Sequence, residues 1–209
     1  MSSVTNQPHI LREQADGIAT LTMNRPDSRN ALSCEMLDAM QDAIDGIADD
    51  PTVRVVVVAA TGPAFCAGHD MKQIRANPEE AYYKSLFAQS SQLMKSIVAL
   101  PKPVIACVQA MATAAGCQLV ASCDLAVAGH SAAFATPGVN IGLFCSTPQV
   151  ALSRNIGRKR AMEMLLTGEA IDAETAVAYG LVNRVVADDQ LKAATNQLAA
   201  QIATKSPLT

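Results

Sequence analysis

Val53-Arg54-Val55-Val56-Val57-Val58-Ala59-Ala60 is nearly unbroken valine and alanine. β-branched residues favour strands, and a strand that is apolar at successive positions has to bury both faces. A parallel sheet covered by helices on both sides does this, so the rest of the chain should alternate strands with helices. Upstream, 9–12 and 17–23 read as two strands joined by the Asp16-Gly17 turn, with a Pro26-containing loop over 24–29. A helix starts at Ser33, a good N-cap, with Glu35 in its first turn. It carries Met36, Leu37, Met40, Ile44 and Ile47 on one stripe until Asp49-Asp50-Pro51 ends it. Downstream, a Gly/Pro-containing loop spans 61–68, a long helix over 79–100 stops at Pro101, and 104–108 is a further strand. The small-residue segment 114–122 reads as a helix and 124–128 as a third buried strand. The last third reads as helices over 153–166, 173–179 and 188–203, with a short strand at 182–186. Asp172 is the N-cap of the middle one and Gly180 follows its end, while Leu191, Leu198 and Ile202 form the inner face of the last. The fold class is α/β, in one domain over 1–209.

The 209 residues suffice for a sizeable core, and with half of them hydrophobic and 17% charged the chain is not disordered. Lys and Arg number 16 against 19 Asp and Glu, and aromatics are 3%, which speaks against a nucleic-acid partner. The apolar stretch 104–128 is interrupted by Gln109, Gly116, Gln118 and Asp124, so no membrane span is expected. The segment Met1–Gly17 holds Arg12, Glu13 and Asp16 and no apolar run, and is not read as a secretory signal. A cytoplasmic protein is expected. The six cysteines contain no CxxC pair and read as buried free thiols, and His9 and His130 read as surface or structural.

Two turns stand out. Ala67-Gly68-His69-Asp70 follows the valine strand and its loop, and Ala114-Ala115-Gly116-Cys117-Gln118 opens a helix after the 104–108 strand. Both place bare backbone N–H groups at strand ends, and a helix N-terminus adds its positive end. Two such groups converging on one point would make an oxyanion hole, whereas small residues also serve close helix–sheet packing.

Three stretches resemble, in order, the signatures of the crotonase superfamily, the enoyl-CoA hydratase/isomerase family. They are Ala64-Phe65-Cys66-Ala67-Gly68-His69-Asp70-Met71-Lys72, Lys102-Pro103-Val104-Ile105-Ala106 and Gly116-Cys117-Gln118-Leu119-Val120-Ala121-Ser122-Cys123-Asp124. Asn24-Arg25-Pro26, Asn30-Ala31-Leu32, Leu166-Thr167-Gly168 and Ala178-Tyr179-Gly180-Leu181-Val182 match its other motifs, so the resemblance covers essentially the whole chain. It implies a crotonase spiral of ββα units over 1–150 and a helical C-terminal part over 151–209. It also implies an acyl-CoA thioester as substrate, no further cofactor, no metal, and chemistry through an enolate-like oxyanion. Carried over residue by residue, the oxyanion donors are the N–H groups of His69 and Ala115. Arg29, Ala31 and Leu32, with Ala67, Gly68, Asp70, Met71, Lys72 and Gly116, line the path of the CoA nucleotide and pantetheine. Asp70 also reads as a brace of its own turn, and Asp124 as a brace of the loop above its strand.

The family's hydratases add water with two glutamates, one acting as base and one as acid. Gln118 and Gly138 stand at those two positions. A carboxamide does not shuttle protons at neutral pH, and glycine has no side chain. The longer strings 114–124 and 134–148 resemble the family's enoyl-CoA hydratase domain-containing subgroup, which also lacks both glutamates. Other groups that would stand near the acyl chain are the His69 imidazole, Cys145 with Ser146 and Thr147, and Tyr82 and Tyr83. The resemblance further implies a homo-oligomer, a trimer or a dimer of trimers, and chains that usually run on for several helices past the position of Thr209. The expectation is an acyl-CoA enzyme of the lyase or isomerase kind, in fatty acid metabolism, that is not an efficient hydratase. The alternatives are a decarboxylase of malonyl-type thioesters, a thioester hydrolase or isomerase with a displaced base, and a non-catalytic acyl-CoA binder.

Overall fold

The computed structural model describes residues 7–206; Met1–Asn6, at the start of the segment read above as lacking a secretory signal, and Pro207–Thr209 lie outside it. In chain order the elements are β1 (Ile10–Ala15), β2 (Ile18–Met23), α1 (Cys34–Ala48), β3 (Val55–Ala60), β4 (Ala64–Cys66), α2 (Met71–Ala76), α3 (Glu80–Ala99), β5 (Val104–Val108), β6 (Met111–Thr113) and α4 (Ala115–Ser122). There follow β7 (Leu125–Gly129), β8 (Ala133–Ala135), α5 (Ser146–Asn155), α6 (Arg158–Thr167), β9 (Ile171–Asp172), α7 (Ala173–Tyr179), β10 (Arg184–Val186) and α8 (Leu191–Ala203). The strands form two sheets, of order β1-β2-β3-β5-β7-β10 and β4-β6-β8-β9. Among the described residues only the β1–β2 hairpin and the β8–β9 pair are antiparallel. The pairs β3/β4, β5/β6 and β7/β8 each give their first strand to the large sheet and their second to the small one. Each pair is followed by a helix, so the chain winds as the expected spiral of ββα units.

The valine strand explains the layering. Val56 and Val58 of β3 face the main core with Met36, Leu37 and Met40 of α1, while Val55 and Val57 face a second cluster with Leu191, Leu198 and Ala199 of α8. Without α8 the second face of the sheet would meet water. Leu191 and Leu198 each contribute about 2 kcal/mol by covering it. The α1 stripe is as the spacing predicts, and Ser33 caps the helix by accepting from Met36 N at 3.2 Å. Asp16 and Gly17 both have positive φ, as a tight hairpin turn requires.

The structure departs from the sequence reading in three places. The loop over 61–68 contains β4, and β6 and β8 were likewise unseen, so the small sheet is new. The single helix expected over 153–166 is two helices. α5 begins at Ser146, seven residues earlier, and ends at Asn155; the extended Ile156-Gly157 pair separates it from α6. The expected boundary at residue 150 therefore falls inside α5. The long helix beginning at Glu80 is preceded by the short α2. Five of the cysteines are buried and Cys34 is half-buried, all of them free.

Candidate active site

The two small-residue turns meet. Leu32 forms a parallel bridge with His69: Leu32 N–H donates to the Gly68 carbonyl at 2.8 Å, and Asp70 N–H donates to the Leu32 carbonyl at 3.4 Å. In such a bridge the flanking residues make the bonds, so the His69 N–H points away from Leu32. On that side stands the second turn. A Cβ placed on Gly68, which has φ +84°, would lie 3.0 Å from Ala114 Cβ and 3.3 Å from Ala115 N. Only glycine permits both the backbone conformation and the approach. Ala115 is the first residue of α4, where N–H groups have no intrahelical acceptor and the helix dipole is positive. Among the described residues neither the His69 nor the Ala115 amide has an acceptor.

Ala114 has φ 49° and ψ −117°, a conformation costly for any residue with a Cβ, of the order of 1–3 kcal/mol. It is held there by its N–H donating to the Ala135 carbonyl at 2.9 Å. This strain turns the Ala115 N–H toward the first turn. Gly116 then lets α4 press on β4, since a Cβ there would overlap the Cys66 carbonyl oxygen. Asn30, fully buried, ties the entry segment down: its side chain accepts from Arg25 N and donates to the Thr61 and Ala64 carbonyls, all at 2.8–2.9 Å.

Above the two turns lies a pocket of about 660 Å³. Of the residues expected at the site it brings together Ala67, His69, Met71, Ala115, Gly138 and Cys145, with Ser146 and Thr147 beside them. It does not bring in the others. Leu32 is fully buried and serves the bridge, and Gly68 and Gly116 serve close packing. The Asp70 carboxylate caps α2, accepting from Lys72 N at 2.9 Å and Gln73 N at 3.2 Å. Arg29 and Lys72 are exposed, Ala31 is half-buried, and none of the three lines the pocket. Gln118 is 6% exposed within α4 and is not in the pocket lining, and its Oε1 has no partner. Tyr82 and Tyr83 are also absent from the lining; Phe87, one turn further along α3, is there instead. Tyr82 turns its hydroxyl to Cys34 Sγ at 3.5 Å. As expected, Asp124 is a brace, accepting from Val104 N at 2.8 Å. His9 contacts Arg25, and His130 lies 3.4 Å from Glu174, both at the surface.

The pocket's titratable side chains are held uncharged. Burial lowers the His69 pKa below the usual imidazole value; the Leu32 carbonyl opposes this slightly but lies outside hydrogen-bond geometry. Both ring nitrogens are buried and unpartnered, and the ring meets Phe87 edge-on at 5.2 Å. Burial pushes the Cys145 thiol up, against a smaller opposing effect of the Gly138 backbone. Gly138 is closely packed under this loop. A Cβ there would overlap the Leu143 carbonyl oxygen and lie 2.9 Å from Cys145 Sγ. Where the resemblance expects a glutamate, the backbone has closed over the space.

Comparison with known proteins agrees with this architecture. The profile of the enoyl-CoA hydratase/isomerase family matches residues 13–209. A Xenopus laevis protein named enoyl-CoA hydratase domain-containing protein 3, mitochondrial, is 48% identical over 201 residues, 96% of this chain and 68% of that one. Among solved structures, an enoyl-CoA hydratase from Mycobacterium smegmatis superposes with a TM-score of 0.95 at 53% identity, covering 96% of this chain and 79% of that one. The human enoyl-CoA hydratase domain-containing protein 3 superposes with a TM-score of 0.92 at 46% identity, covering 96% and 79%. The chain spans about two thirds of the length of the curated relatives, 64% for the mouse and human proteins. Those relatives are named mitochondrial, which overturns the cytoplasmic expectation. The absence of an apolar run in Met1–Gly17 spoke only to secretion; nothing in composition identifies an organelle.

Proposed function

We propose, for a chain that belongs to the enoyl-CoA hydratase/isomerase family, that it binds an acyl-CoA thioester and polarises its carbonyl between the N–H groups of His69 and Ala115. The observation that carries this reading is the meeting of the two turns, which leaves both amides without acceptors at the floor of the pocket. Charge that develops on the thioester oxygen is stabilised there by fixed backbone dipoles that need no reorganisation; one such donor is worth about 3–4 kcal/mol to a transition state. Hydration, isomerisation and decarboxylation form an enolate-like anion and thioester hydrolysis a tetrahedral one, and in each the charge falls on the thioester oxygen.

Proton movement is the weak part of the site. Among the described residues no Asp or Glu lines the pocket. Gln118 and Gly138 stand where the resemblance expects the two groups that would handle water, and both ring nitrogens of His69 are buried without a partner. Efficient hydration is therefore not part of the proposal. A second reading, a non-catalytic acyl-CoA binder, draws support from the same pocket, because burial lowers the His69 pKa and raises that of Cys145, which weakens the first as a base and the second as a nucleophile. Decarboxylation of a malonyl-type ester has less support: among the described residues no Lys or Arg in the lining would meet the substrate carboxylate. Assembly as a trimer or dimer of trimers belongs to the same proposal and is checked by light scattering.

The test is calorimetric titration with acyl-CoA esters, followed by mass spectrometry of enoyl-, malonyl- and acyl-CoA esters incubated with the protein. Binding with slow or no turnover of enoyl esters supports the reading. Failure to bind any ester contradicts it.

A further inference from the structure

We propose that Gln73 is a positioning residue, whose side-chain amide clasps α2 to the first turn of α1 and so sets one flank of the pocket against the two small-residue turns. The clasp stands on its own hydrogen bonds; its service to a ligand rests on the thioester reading above.

Length is the first observation. α2 runs from Met71 to Ala76, less than two turns, and a helix this short does not hold itself together in water. Yet Met71 and Ile74, three residues apart on one face, both line the pocket. Within the element, the Asp70 carboxylate caps the start, and Asn77 Nδ2 donates to the Gln73 carbonyl at 2.9 Å near the end. These bonds shape α2 without attaching it. Ile74 packs on the main core, but one apolar anchor does not fix how the helix is turned about it.

Gln73 supplies the second attachment. Its Oε1 accepts from Cys34 N–H at 2.9 Å, and its Nε2 donates to the two Glu35 carboxylate oxygens at 3.2 and 3.0 Å. Only this orientation of the amide serves both partners, because the peptide N–H needs an acceptor and the carboxylate a donor. Cys34 is the first residue of α1, where an N–H has no intrahelical acceptor, so the clasp also satisfies an orphan donor. The Ser33 hydroxyl, followed by the Glu35 backbone N–H and Gln73, holds the Glu35 carboxyl below the usual carboxylate range, so it is an ionised acceptor at neutral pH. The Cys34 carbonyl in turn accepts from Gln89 Nε2 of α3 at 3.1 Å, and α3 brings Phe87 to the pocket. Two residues before Cys34, Leu32 makes the bridge to His69. The segment from Leu32 to Glu35 thus joins the His69 turn to α2 and α3, and Gln73 is its link on the α2 side.

Exchanging the two partners tests the clasp. Gln73→Leu removes the amide, and Gln73→Glu sets two carboxylates against each other. Gln73→Glu combined with Glu35→Gln again offers Cys34 N–H an acceptor and that acceptor's carboxyl a donor, at unchanged net charge. Three readouts are taken on the full chain: the ¹³C-methyl resonance of Met71, assigned with Met71→Leu, hydrogen exchange of the α2 amides, and the affinity for butyryl-CoA by calorimetry. The melting temperature reports the global fold. A hydrogen bond of this kind is worth about two- to tenfold in a local equilibrium. Both single variants should shift the Met71 resonance, speed α2 exchange about threefold or more and weaken butyryl-CoA by a similar factor, with little change in melting temperature. The double variant should restore all three. Should Gln73→Glu fail to fold, Gln73→Leu and the double variant carry the comparison. An unmoved Met71 resonance with unchanged α2 exchange, or a double variant no better than the single ones, would overturn the clasp. A loosened α2 with unchanged butyryl-CoA affinity would overturn its service to the pocket. Absence of butyryl-CoA binding by the wild type would overturn the thioester reading, and the Met71 and exchange readouts would still decide the clasp.

Discussion

The floor and the wall of the pocket are built by opposite rules. The floor, where the turns at Gly68 and Ala114 meet, is fixed by backbone: a bridge to Leu32, a strained Ala114 and glycines with no space for a Cβ. The wall, from Pro137 to Pro148, is a 3₁₀ turn and loop that leads into α5 and presents apolar side chains to solvent. On the reading proposed above, the floor would hold a thioester oxygen, while Gln118 and Gly138 on α4 and the wall would not move protons to and from water. The proposal thus separates carbonyl polarisation, assigned to main chain, from proton transfer, assigned to replaceable side chains.

The largest expected effect breaks the comparison if it fails. General acid and base groups are each worth about 10²–10⁴-fold. Crotonyl-CoA hydration should therefore fall at least about 10⁴-fold below that of a family hydratase that carries both glutamates, as followed by mass spectrometry of the hydroxyacyl product. A rate close to that enzyme's would mean that the wall supplies an acid and a base through other groups.

The second prediction sharpens the description of the floor. Gly116→Val drives side-chain atoms into the Cys66 carbonyl, and neither α4 nor β4 can yield without moving Ala115. It should destabilise the fold by about 1–3 kcal/mol in urea unfolding and remove acyl-CoA binding. Undiminished binding would show that the close approach of α4 to β4 does not set the donor geometry.

Much of the floor was legible in the sequence and much of the wall was not. The α1 stripe and the β3 valines are long, periodic or uniform signals, and they appear where the spacing placed them. β4, β6 and β8 are three residues each, mostly small, too short to show any period, so the small sheet went unseen. The helix read over 153–166 ran through the extended Ile156-Gly157 pair that separates α5 from α6, and it left out the first turns of α5, where Pro148 lies. The proposed oxyanion donors are main-chain groups, visible in sequence only as small residues, and only the family resemblance suggests a task for them. Phe87 was missed in favour of Tyr82 and Tyr83 because helical phase alone did not say which turn of α3 faces the pocket.

The third prediction concerns the wall. Gly138→Ala should destabilise the protein by about 1–2 kcal/mol and shift the loop that carries Leu143 and Cys145, because its Cβ meets a carbonyl oxygen and a thiol. Chemical unfolding measures it. A neutral substitution would mean that the loop yields freely, and that a glutamate at this position could be accommodated.

The smallest effect is a pH dependence at the meeting of floor and wall. The folded-state pKa of His69 is lowered by burial. Above the unfolded value of 6.5 the ring is neutral in both states and adds no pH dependence. As pH falls below 6.5 the unfolded chain takes up a proton that the fold resists, so stability declines until the lowered pKa is passed. The melting temperature should therefore drop modestly between pH 6.5 and 5, and His69→Phe should flatten that drop. An unchanged slope would show that the ring is not held neutral.

The central claim is that the floor polarises a thioester carbonyl, and infrared difference spectroscopy of a bound acyl-CoA ester with a ¹³C-labelled carbonyl tests it most directly. Two backbone donors at His69 and Ala115 should shift the labelled stretch to lower wavenumber than in water. A bound ester whose carbonyl stretch stays at its aqueous position would contradict the account.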